Sequence, residues 1–165
     1  MPIWAIITVQ WLHVFCGIFW FGSRLVVSFI LLPAMRRVKQ AQQQAFVTEL
    51  IRHFTRIEPA LGVATILLGI LRGTVFGAVQ SLDVAFGTRY GMTWTVALTL
   101  GLVAAALGGM VGANFARLRA VPVAADGSSQ AAYDAQLART QAFSYASLAV
   151  FLVLFSCMIL MRFGY

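Results

Sequence analysis

His13, Gly17, Trp20 and Arg24 have the types to do chemistry, and they recur at steps of four, three and four, which puts them on one face of a helix. An imidazole can hydrogen-bond or ligate a metal through either ring nitrogen. A guanidinium is permanently charged and pairs with carboxylates. Both lie within Ile3 to Pro33, an otherwise apolar run longer than the roughly 20 helical residues that cross a bilayer. At membrane depth such groups are costly unless they face a protein interior, water or a partner. That cost makes the stripe the candidate site.

Two accounts of His13 follow. In one it is hydrogen-bonded within a helical bundle; in the other its free nitrogen binds a metal. A b-type haem would take His13 as axial ligand. Gly17, one turn on, would leave room for the ring, and Trp20 would pack against it. Arg24 lies about 16 Å further along the axis at 1.5 Å per residue, so it reaches a propionate only if the ring stands along the helix. On this reading a second axial ligand is missing from the chain, and a two-fold homodimer would supply a second His13. A soft ion such as Cu(I) favours sulfur, and His13 and Cys16 with Cys157, Met158 and Met161 form a second candidate set. Arg24 also has Glu58 as an ion-pair candidate at a similar depth. His53, past the far end of the first helix, reads as a solvated helix-face residue.

The elements that must position these residues are set by composition. Of 165 residues, 61% are hydrophobic and 10% are charged, against about 25% charged in soluble domains. This is a membrane composition and one small bundle. Two cysteines in apolar segments make no disulfide scaffold. No phosphate-binding glycine loop, zinc-protease helix or carboxylate pair is present, and Asp83, Asp126 and Asp134 read as loop or helix-surface residues. Whether the protein is an enzyme stays open.

The first helix runs from about residue 3 to 33, with Trp4 and Trp11 near one interface and Pro33, Arg36, Arg37 and Lys39 at the other. It lacks a basic leader and a cleavage site, so it is expected to be a retained transmembrane helix rather than a signal peptide. The second covers about 41–79. Phe46, Leu50, Phe54 and Ile57 recur at helical spacing in a polar extension, and Glu58-Pro59 is expected to kink or break it. The apolar run from Pro59 to Leu71 is too short to span, so the membrane must take in Arg56 and Glu58 or the stretch from Arg72 to Val79. Residues 80–90 form a connection with an interfacial turn of helix. The third helix, about 91–118, carries Gly101, Ala105, Gly108, Gly109 and Gly112, small residues that let helices approach closely. After a linker at 120–130, Ser128 or Ser129 is expected to cap the fourth, about 131–163.

The net charge of +7 gathers in the loops after the first and third helices. By the positive-inside rule both termini are outside and the extensions of helices 2 and 4 are cytoplasmic. Topology and anionic lipid account for the charge without nucleic acid.

His13-x6-Trp20-x-Gly22, the helix end Leu31-Leu-Pro-Ala-Met-Arg-Arg37 and the Tyr90-Gly91 pair together resemble CopD-type copper-resistance membrane domains and their relatives, the HemJ-type protoporphyrinogen oxidases. The resemblance implies a transmembrane bundle with b-type haem or copper. Those families carry a lysine in the helix after the Tyr-Gly pair, where residues 92–100 here have none, which argues against an oxidase role. The expectation is an all-α integral membrane four-helix bundle, a single domain over 1–165 in a bacterial-type inner membrane. It would bind a redox cofactor for electron transfer or tetrapyrrole-linked chemistry. The alternatives are copper uptake or handling and a cofactor-free structural subunit.

Overall fold

The computed structural model describes residues 2–38, 40–124 and 127–165, apart from the side chains of residues 40, 41 and 53. Lys39, Asp126 and the His53 side chain, named above, fall outside the described residues. The chain is helical, with no strand among the described residues.

Helix α1, Ile3–Met35, is continuous but changes pitch at Val27–Leu31, a π-helical turn. Pro33 has no N–H for the Phe29 carbonyl and its ring crowds that oxygen. The wider turn just before it takes up the misfit. Ser28, on this turn, is fully buried and meets Ser144 with 2.6 Å between hydroxyl oxygens.

Helix α2, Gln40–Gly73, is continuous through Pro59 with no break there. Its apolar part is Phe54–Gly73, so it takes in Arg56 and Glu58 at one end and Arg72 at the other. It stops at Gly73, six residues short of the expected end. The backbone folds back at Gly77, where a Cβ would lie 2.5 Å from the carbonyl oxygens of both Arg72 and Gly73. Only glycine fits so tight a return.

Helix α3, Leu82–Gly87, is the expected turn of helix in the connection; the Ser81 hydroxyl accepts from the Val84 N–H at 3.2 Å. It lies on the first turn of helix α4, Arg89–Ala120, so closely that a Cβ on Gly91 would fall 1.9 Å from the Val84 carbonyl oxygen. Thr88 caps α4, accepting from the Gly91 N–H at 3.0 Å. Helix α5, Gln130–Arg162, begins after Ser129, whose side chain does not cap it. The Ser129 hydroxyl accepts instead from the Ala124 N–H at 3.2 Å, tying the linker to the helix start.

Four helices, α1, α2, α4 and α5, are long and apolar enough to cross a membrane. Each packs against the next, and α5 returns to α1. Both termini and the α3 connection share one end of this up-down bundle, the terminus end; the other two connections mark the loop end. The loop end holds the larger buried apolar cluster. Val27, Leu32, Met35, Val47, Val111, Phe115, Leu118, Tyr133 and Leu137 form one buried cluster drawn from all four long helices. The terminus end has the larger of two cavities, and His13 lies there.

Candidate functional site

Helix α2 presents Gly62, Thr65, Gly69 and Gly73 along one face, at steps of three, four and four. Each glycine seats an aromatic ring. A Cβ on Gly62 would come 3.1 Å from the Trp20 ring, on Gly69 3.0 Å from the His13 ring, and on Gly73 2.0 Å from the Trp94 nitrogen. The face thus fixes three rings, two from α1 and one from α4, without side chains of its own.

His13 Nδ1 lies 2.9 Å from the Thr65 carbonyl oxygen. A carbonyl can only accept, so Nδ1 carries the proton and Nε2 keeps the lone pair. No group among the described residues hydrogen-bonds Nε2. Beside the imidazole is a cavity of about 910 Å³ reaching α1, α2, α4 and α5. That is near the top of the roughly 300–1,000 Å³ range of small-molecule and cofactor pockets. Gly17, Gly69, Ala97 and Gly101 hollow it out, and Trp94, Leu154, Phe155 and Met158 give it apolar walls. Two cations line it, Arg72 and Arg162. Arg72 is steadied by Gln10 through Nε (2.9 Å) and by the Phe76 carbonyl (2.9 Å), and neither arginine has a carboxylate partner among the described residues.

Arg24 does not belong to this cavity. It sits at a second one, of about 450 Å³ between α1, α2 and α4. There its guanidinium, 1% exposed, pairs with Glu58. Ser23 Oγ lies 2.8 Å from the Trp20 carbonyl and 3.4 Å from the same carboxylate. Gly108 lets the pair close: a Cβ there would fall 2.6 Å from a guanidinium nitrogen. The face shared by His13, Gly17, Trp20 and Arg24 is therefore divided. Eleven residues of helix are too far for one small site to bridge, and Glu58 takes the charge where it stands.

Trp20 lines both cavities and is 3% exposed. Its ring is wedged between Gly62 and Phe151, edge-on to the latter at 4.8 Å between centroids. It is the wall between the two spaces rather than a platform beside one of them.

The sulfur set is divided too. Met158 and Met161 line the His13 cavity, whereas Cys16 and Cys157 are absent from its lining. Among the described residues no three His, Cys, Asp or Glu side chains stand together as a metal-holding group.

The residues missed from sequence are Thr65, Gly69, Arg72 and Arg162. The glycine spacing on α2 was a readable signal for the first two, because glycines 62, 69 and 73 can only share a face. The short apolar run of α2 marked Arg72 as a residue near the membrane but not as part of this site, and Arg162 read as an ordinary helix end. Compared with protein-family models, curated proteins and solved structures, the chain matches none.

Proposed function

We propose that this is a membrane protein that holds a b-type haem in the terminus-end cavity and works in electron transfer or tetrapyrrole-linked redox chemistry. One observation carries the reading: His13 is bound through Nδ1 alone, on the wall of a large apolar cavity. A backbone carbonyl that fixes the tautomer and orients the ring is the usual support of a metal-binding histidine. The residues present fit the group. Nε2 is available for iron, the small residues leave space for a flat macrocycle, and Arg72 and Arg162 would meet the two propionates in the place first given to Arg24. When bound, haem supplies a one-electron iron couple, tuned by its axial ligands and the dryness of its site. Thr65 fixes the tautomer of His13 and the direction in which Nε2 points, and the Trp20 ring closes the site on the side of the second cavity.

The resemblance to CopD- and HemJ-type domains supports the same class of cofactor. Arginines 36, 37, 52, 56, 117, 119 and 139, exposed toward the loop end, support an orientation with that end in the cytoplasm and both termini outside, and the resemblance supports a bacterial-type inner membrane.

Purified protein should show a Soret band that is lost in His13→Ala. Colourless protein from haem-replete cells, or a band unchanged by His13→Ala, overturns the reading. Copper handling is the second reading, favoured by two thioethers, Met158 and Met161, lining the cavity with the imidazole. Cu(I) binding to the colourless protein that depends on His13 and both methionines would establish it.

A further inference from the structure

Helices α1 and α5 run antiparallel, and two contacts fix their register. Ser28 meets Ser144 at 2.6 Å, and the Trp20 ring meets Phe151 at 4.8 Å between centroids. Each contact implies the next one along. From Trp20, seven residues toward the amino terminus lead to His13. From Phe151, seven residues toward the carboxyl terminus lead to Met158. Seven residues are close to two full helical turns, about 10.5 Å along each axis. His13 and Met158 thus stand level with each other, each on the face of its helix that makes the Trp20–Phe151 contact. Both line the cavity. Two rings fill the space between the helices at the level of Trp20, whereas at the level of His13 the cavity takes their place.

Resting on the haem reading, we infer that Met158 is the second axial ligand, meeting iron on the face opposite His13. A thioether on an unbranched, flexible chain reaches across such a gap readily, and methionine with histidine is an established axial pair. Met161 lines the same cavity but lies three residues further on, about 4.5 Å nearer the end of α5, beside Arg162 and off the level of His13. Tyr90 also lines the cavity, but it belongs to the first turn of α4, one turn beyond Trp94 toward the terminus end. The geometry removes the need for a second chain to complete the iron's ligands.

The test is spectroscopic, on the full-length haem-loaded protein. Wild type should be low-spin and six-coordinate in both oxidation states, with the weak red charge-transfer absorption that a thioether gives ferric haem. Met158→Leu, which keeps the side-chain volume, should retain the Soret band while that absorption disappears. Its iron should become high-spin, its reduced form should bind carbon monoxide rapidly, and its midpoint potential should fall. Met158→His should restore low-spin iron without the charge-transfer absorption, and Met161→Leu should match wild type. High-spin wild-type haem, or a Met158→Leu spectrum identical to wild type, overturns the assignment and leaves the haem reading standing. A wild type with no Soret band, or one indifferent to His13→Ala, overturns the haem reading itself.

Discussion

The loop half and the terminus half of the bundle meet the same problem, a polar side chain on α1 at membrane depth, and answer it differently. Arg24 is enclosed: it has Glu58 as counter-charge and a glycine that clears its way. His13 is only half answered, with one nitrogen held by Thr65 and the other on a residue at the edge of a cavity twice the size of the other. The Arg24 charge is paired, although its Nε has no hydrogen-bond partner, and removing the partner of a buried charge is strongly destabilising. The His13 imidazole is held on one nitrogen only, beside a cavity, and on the proposed reading the other nitrogen takes a ligand. The difference separates a charge paired inside the bundle from a ring left open on one side, which neither burial nor residue type does.

Three substitutions bear on this contrast, beginning with the largest effect. Glu58→Ala should leave the Arg24 charge buried without its partner and cost about 3–5 kcal/mol of unfolding free energy, measured by denaturation in detergent micelles. A loss below about 1 kcal/mol would show that water reaches Arg24 and that the enclosure is not real. Gly108→Ala puts a methyl group where the guanidinium lies. It should cost about 1–3 kcal/mol, the usual penalty for overpacking, and the cost should vanish when Arg24 is also shortened to alanine. His13→Ala gives up one hydrogen bond beside a cavity that already exists, so its cost should be only about 1 kcal/mol even as the Soret band is lost. If it destabilised the protein as much as Glu58→Ala does, His13 would belong with Arg24 as a structural group.

The sequence shows which side chains are out of place in a membrane, because the cost of burying a charge or an imidazole belongs to the residue type. His13, Arg24 and Glu58 could all be singled out for that reason. It does not show which of them ends up satisfied. That depends on how α2 is rotated and slid against α1, and no single-helix pattern encodes it. Met158 was visible as a sulfur on the last helix, but its place opposite His13 needs the α1–α5 register set by Ser28 and Phe151. The extent of α2 was misjudged at both of its unusual points. Of the kink or break expected at Pro59, the break does not occur, and the return at Gly77 was hidden in a stretch still apolar enough to continue. At Gly77 a carbonyl pair is met only once the chain has reversed, which no local pattern announces.

Trp20 bears on what crosses the membrane, apart from what is bound in it. Two spaces stacked along one helix would, if joined, let water file through most of the bilayer's thickness, with carboxylate and imidazole as stepping stones for hydrogen ions. An indole gripped between Gly62 and Phe151 interrupts that file near its middle. The bundle can therefore be hollow in both halves and still hold an electrochemical gradient, so a cell carrying Trp20→Ala would be expected to leak where one carrying His13→Ala does not.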